Sequence, residues 1–288
     1  MFKLRDWVQS DKIEWERLSL NPNAIHLLEQ NLDKVDWVSL SFNPNAIHLL
    51  EQNLDKVNWW NLEFWECLSG NPNAIHLLEQ NLGKVDWDVL SGNPNAIHIL
   101  EQNLDKVDCI WLSDNPNAIH ILEQNLDKVD WCNLSKNPNA IHILEQNLRK
   151  INWKGLSRNP NAIHLLEQNL DKIHWGLLAE DNPNAIHLME KNLDKVDWEW
   201  LSINPNAIHL LEQNLDKVDW KGLSRNPNAI HLLEQNLDKV DWDRLSYNPG
   251  IFEYDYEAMK KTRDPIKHEL MIERFNPKHI HQFSSWGF

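Results

Sequence analysis

An all-α solenoid is predicted for this chain on three observations. A unit of about 22 residues recurs along most of its length, each unit carries two helix-start signals, and the apolar spacing inside it fits helices. The triplet Asn-Pro-Asn begins at Asn21, Asn43, Asn71, Asn93, Asn115, Asn137, Asn159, Asn182, Asn204 and Asn226, and a degenerate Asn-Pro-Gly begins at Asn248. Successive starts lie 22 residues apart, except for one spacing of 28 and one of 23. A unit reads Asn-Pro-Asn-Ala-Ile-His-Leu-Leu-Glu-Gln-Asn-Leu-Asp-Lys-Val-Asp-Trp-x-x-Leu-Ser-x, positions 1 to 22 below. The rear half of a unit, Asp11 to Ser19, stands before Asn21, so the array starts in mid-unit.

Position 1 is a helix N-cap, because an Asn side chain accepts a bond from a first-turn N–H that has no helical partner. The Pro after it suits the first helical position and pushes the cap residue out of the α region. Apolar positions 4, 5, 7, 8 and 12 then span roughly 160° of a helical wheel, wide enough to pack on a partner helix and on the neighbouring units together. Asn at 11 is suited to end this helix in the left-handed conformation. Asp at 13 is expected to cap the second helix, with the acid at 16 favouring the same end through the helix dipole. Trp at 17 and Leu at 20 lie one turn apart and are expected in the core. A pair this short cannot bury its apolar stripe alone, so units must stack.

The predicted fold is therefore an α-solenoid, right- or left-wound, of about eleven two-helix units with helical terminal caps. Layers ~8–10 Å apart would make it a rod or superhelix on the order of 100 Å long. Residues 1–20 read as an N-terminal cap and half unit, in which Phe2, Leu4, Trp7 and Val8 cover the first open layer. Residues 21–247 form the array. Residues 248–288 hold six acidic and six basic side chains, leaving the net charge of -15 to the rest, and read as a helical cap or a recruitment module. Helices are expected near residues 254–263 and 264–275, with a further turn after Asn276-Pro277; Lys260, Lys261, Arg263 and the His279/His281 pair would serve recruitment. Six extra residues around Trp59 duplicate the Trp-x-x-Leu element and predict a longer or bulged second helix. One extra residue before Asn182 predicts a loop-sized change, and Trp111 is expected to fill the gap left where Cys109 replaces Trp.

The unit consensus resembles short-repeat proteins abundant in large DNA viruses of protists and algae, over about residues 11–249. The ending Asn-Pro-Gly-Ile-Phe-Glu-Tyr-Asp-Tyr-Glu-Ala-Met, with Phe275-Asn-Pro-Lys, resembles the way such chains finish. The resemblance implies a viral protein acting in an infected cell or a particle, and brings no catalytic residues with it.

Composition narrows the function. A charge of -15 argues against gripping nucleic acid through its phosphates. No apolar run approaches the roughly 20 residues of a membrane span, and the first ten residues lack the apolar centre of a secretory signal. Three cysteines make neither a disulfide framework nor a metal knuckle. An intracellular, reducing setting is expected, the host cytoplasm or a virus particle if the resemblance holds. No cofactor, metal or catalytic residue is expected. The histidines at position 6 (His26, His48, His76, His98, His120, His142, His164, His187, His209 and His231) recur one layer apart, too far to converge on one ion, and read as an exposed polar row. Repetition also gives every carboxylate nearly the same surroundings, whereas acid–base catalysis needs unlike ones.

The informative positions are those that vary: 18, 19 and 22, clustered on one face of the second helix. A fixed scaffold with a variable strip is how repeat proteins present a partner surface, and exposed aromatics there are costly without a partner. Candidate partner-binding residues are Phe42, Val89, Lys136, Lys154, Arg158, Trp200, Ile203, Lys221, Arg225 and Tyr247. A non-catalytic scaffold for a protein partner is expected. The alternatives are a structural rod of a virus particle, an adaptor recruiting a host complex through the C-terminal module, and a reader of single-stranded nucleic acid, which the acidic balance disfavours.

Overall fold

The computed structural model describes residues 2–53 and 55–274, and in it each full unit is a helix pair. First helices are five or six residues long, from Ile25–Glu29 to Ile230–Gln235; second helices run from Trp15–Ser19 to Trp242–Leu245. Helices this short have little stability of their own. Packing holds them: Ala at 4, Leu at 8 and Leu at 20 are fully buried, as Ala24, Leu28 and Leu40 illustrate.

The caps sit differently from the expectation. The Asn at position 1 accepts from the N–H of position 3, as Asn21 does from Asn23 at 3.0 Å. It therefore caps a Pro-Asn-Ala turn, and the α-helix follows from position 5. Asn at 11 is not left-handed: Asn53 and Asn147 both have φ of -130°. Its side chain instead donates to the carbonyl of position 7, Asn31 to Leu27 at 2.9 Å, which satisfies a helix-end acceptor directly. The second helix is capped by position 16 rather than 13, as Asp36 accepts from Ser39 N–H at 2.7 Å. Positions 12–14 form a separate turn, and position 15 is extended in order to bury its side chain (Val35, Ile151, Ile173), so no helix starts before it. The Trp at 17 is a half-buried wall rather than full core. The Lys at 14 of the following unit lies over it, Lys172 over Trp153 at 4.5 Å and Lys217 over Trp198 at 4.8 Å.

Units are joined by a buried polar layer. Each position-1 Asn donates from Nδ2 to the carbonyl of position 1 in the preceding unit and of position 21 in the unit before that, Asn43 to Asn21 and Ser19, both at 2.9 Å. The Asn at 3 donates to the preceding Pro carbonyl (Asn45 to Pro22, 3.0 Å). The Ser at 21 donates to the carbonyl of position 17 and accepts the N–H of position 16 in the next unit (Asp36 to Ser19, 3.1 Å). Every polar atom of these buried side chains has a partner, the condition for burying them at tolerable cost.

The same bonds join the two ends of the chain, so the array is a closed ring and not an open rod or superhelix. Asn21 donates to Ser246 and Asn248 at 3.2 and 3.1 Å, Asn23 to Pro249 at 3.0 Å, and the Glu14 N–H to Ser246 at 3.0 Å. Lys12 lies over Trp242 at 4.9 Å. The N-terminal half unit supplies the second helix that follows the degenerate final unit, and the ring contains eleven second helices among the described residues. Where an eleventh first helix would lie, β1 (Phe2–Leu4) pairs antiparallel with β2 (Phe252–Tyr254), Lys3 opposite Glu253. Phe2, Leu4, Trp7 and Val8 do pack on the core, but they seal a joint instead of covering an open layer.

The irregular units follow their insertions. The six extra residues lengthen one second helix to Leu62–Gly70, with Trp65 buried in the usual Trp site and Trp60 and Leu62 outside. The extra residue before Asn182 extends a helix to Trp175–Asp181. Trp111 does not refill the Cys109 site: it stands half exposed beside Gly92, and a cavity of about 260 Å³ remains between Cys109, Leu104, Ile121 and Lys128. Beyond the ring a single helix, Tyr256–Arg274, runs through Pro265 instead of breaking there. From Tyr256 to His268 its side chains are exposed, Ala258 alone being half buried, so this stretch shields no open layer. The turn expected after Asn276 and the His279/His281 pair lie outside the described residues.

Candidate functional site: the inner face of the ring

Closure decides where the variable positions point. In a ring, groups nearer the axis lie closer to their neighbours. Consecutive second helices pack directly on one another, whereas consecutive first helices are bridged by side chains, His98 to Glu79 at 2.7 Å and His231 to Glu212 at 2.8 Å. The second helices are therefore the inner wall. Their buried side, carrying Leu at 20 and Ser at 21, faces the first helices, which leaves positions 18 and 22 directed toward the axis. Convergence is visible in charge as well. Burial and the adjoining Asp181 raise the Glu180 carboxyl above the usual range, while Arg158 in the preceding unit and Arg225 two units on act against that shift. Eleven helices at ~8–10 Å spacing, less half a helix diameter on each side, leave an opening roughly 20 Å across.

Around this wall the side chains fall into two arcs. One is apolar. Phe42 and Val89 meet across Gly70, where an added Cβ would lie 3.3 and 3.2 Å from them, and Trp111 follows beside Gly92. Phe42, Ile110 and Trp111 are each about half exposed. The other arc is charged and laced between units: Lys136 pairs with Asp114 at 3.3 Å, Arg158 with Asp181 at 3.0 Å, and Arg17 with Asp243. Lys154 and Lys221 are exposed within it. Trp200 lies beside Gly176, and Ile203 beside Gly222. Arg225 lies over the Tyr247 ring, 5.8 Å from its centroid.

Eight of the ten candidate residues thus share one continuous inner face, while Val89 and Trp200, at position 19, lie over the preceding second helix at its edge. Position 19 faces the preceding second helix more than the opening. Asn133 donates to the Ile110 carbonyl there at 3.0 Å, and a Cβ on Gly155 would lie 2.4 Å from the Cys132 carbonyl oxygen. Gly155 and Gly222 are accordingly buried, and their variation serves helix approach. Inner-face residues absent from the candidate set include Ile110, Trp111, Arg17, Asp243 and Arg244. Each occupies a variable position, but Arg17 and Arg244 become neighbours only when the ends meet.

The histidine row lies on the outer side, where each His from His48 onward pairs with the position-9 Glu of the preceding unit. Among the described residues no group of three or more His, Cys, Asp or Glu converges as a metal site would require, and no helix is long and apolar enough to cross a membrane. The three cysteines are unpaired. On the inner face, burial and the nearby Glu63 push the Cys67 thiol up, away from the reactive thiolate. No protein-family model, curated protein or solved structure matches this chain.

Proposed function

We propose that this ring is a non-catalytic scaffold that holds a segment of a partner protein against its inner face. One observation carries the reading: closure gathers the variable residues of all units onto a single concave wall with an apolar arc and a charged arc. An opening of roughly 20 Å admits one α-helix, about 10–12 Å across with its side chains, but not a folded domain. The apolar arc supplies the water-excluding anchor that interfaces concentrate at their centre, and the charged arc supplies register. The acidic balance of the chain favours a protein over a nucleic acid. The likeness of the unit to repeats of large DNA viruses directs the search for the partner to infected cells.

The test is a comparative capture. Full-length parent, an inner-face variant (Phe42→Ser, Trp111→Ser, Trp200→Ser) and an outer-face variant (His98→Ala, His142→Ala) are used as baits, with helicity checked by circular dichroism. A partner retained by the parent and the outer variant but lost by the inner variant supports the reading. Identical partners on all three folded baits contradict it.

A further inference from the structure

Where the ring closes, three consecutive second helices enclose a cavity of about 290 Å³ lined by Arg17, Arg225, Asp243, Arg244 and Tyr247. Arg17 comes from Trp15–Ser19 in the N-terminal half unit, Arg225 from Trp220–Arg225 in the ninth full unit, and the remaining three from Trp242–Leu245 and the turn after it in the tenth, so the cavity exists only in the closed ring. Arg17 is committed. It pairs with Asp243, donates from Nη1 to the Tyr247 hydroxyl at 2.7 Å and lies over that ring at 4.9 Å. Arg225 also lies over this ring, 5.8 Å from its centroid, and its charge acts on Glu180 without forming an ion pair within 4 Å. Arg244 is half buried and, among the described residues, forms no such pair either.

The cavity therefore holds three guanidinium groups against one carboxylate, a local charge of about +2 in a chain of -15. Tyr247, which accepts from Arg17, keeps its own O–H to donate. Guanidinium groups present paired N–H donors in a plane that fits tetrahedral oxyanions, and the charge that neutralises this set is a dianion.

We propose that the cavity at the ring closure binds a phosphoryl group. The carrier would be the partner segment, and that clause alone rests on the reading of the inner face as a recognition surface. Because the site joins both ends of the chain, its ligand also favours the closed ring by mass action.

The experiment uses the full chain and inorganic phosphate as the probe, at constant ionic strength balanced with sodium chloride, read by calorimetric titration and by thermal melting. Saturable binding and a raised Tm are expected in the parent. Arg225→Gln with Arg244→Gln, which leaves the Arg17 closure contacts in place, should weaken binding at least tenfold and abolish the Tm shift. Arg158→Gln, altering a paired arginine of the same wall, should change neither. Equal phosphate binding by the double variant overturns the proposal, as does equal binding of acetate, which would make this a carboxylate site. Phosphate binding that survives while inner-face substitutions leave every protein partner in place overturns the scaffold reading and spares the site; the converse spares the scaffold.

Discussion

The joint between the units starting at Asn115 and Asn137 and the joint that closes the ring make the same inner bonds by different chain routes. At the first, Asn137 donates to Ser113 and Asn115, residues 24 and 22 earlier. At the second, Asn21 donates to Ser246 and Asn248, residues 225 and 227 later. The outer halves differ. The interior joint has a first helix on either side and a His142–Glu123 pair at 2.7 Å. The closing joint has β1 and β2, with Phe2 stacked on Tyr254 at 4.8 Å and Lys3 paired with Glu253 at 3.1 Å. Gly250 stands in place of the usual Asn where a Cβ would lie 2.7 Å from both Ile230 Cγ1 and the Pro227 carbonyl oxygen of the unit before it. The inner layer of second helices and asparagines is thus what a joint requires, and the outer layer tolerates replacement.

The largest test of that equivalence removes the shared polar layer. Asn137→Ala leaves the Ser113 carbonyl and the Asn139 N–H without partners and the Asn115 carbonyl with the Ala118 N–H alone, and should cost about 2–4 kcal/mol, at ~1–3 kcal/mol per orphaned group with some relaxation. Asn21→Ala orphans the matching groups at the closure and should cost a similar amount, measured by urea unfolding of the two variants side by side. A loss below about 1 kcal/mol for Asn21→Ala alone would break the comparison.

A smaller effect of opposite sign comes from the joint that lacks its indole. The closing joint keeps the Lys12–Trp242 contact, whereas Lys128 faces the cavity beside Cys109. Cys109→Trp should fill that space and raise stability by about 1–2 kcal/mol, since a half-buried Trp covers on the order of 100 Å² of apolar surface at ~25 cal/mol per Å², less what Cys109 already covers. A drop in Tm would show that Trp111 and the cavity walls have settled around the smaller side chain.

Most of the unit was legible in the sequence, because the helix pair depends on local signals: Asn-Pro for the turn, 3.6-residue apolar spacing, and Leu at 20. The caps at 11 and 16 were misplaced because burying Val at 15 demands extended backbone, a tertiary requirement that overrides the propensity of Asp at 13. Closure was the feature hardest to read. It depends on curvature per unit, set by how closely second helices approach relative to first helices, and small residues such as Gly155 and Gly222 control that approach through packing. The half unit before Asn21 and the degenerate unit at Asn248 were the available trace, two incomplete units that complete one another. The inner strip was legible as variability, but its two arcs and the Arg17–Arg244 neighbourhood follow from closure.

Closure itself is the claim to measure. With Cys67, Cys109 and Cys132 replaced by Ser, dyes are placed at Lys3→Cys and Glu253→Cys, positions paired across β1 and β2, and energy transfer is recorded in dilute monomer. A ring predicts near-complete transfer that collapses in denaturant. An open array with its ends on the order of 100 Å apart, as layers ~8–10 Å thick would give, predicts almost none under native conditions, and that result would contradict the ring.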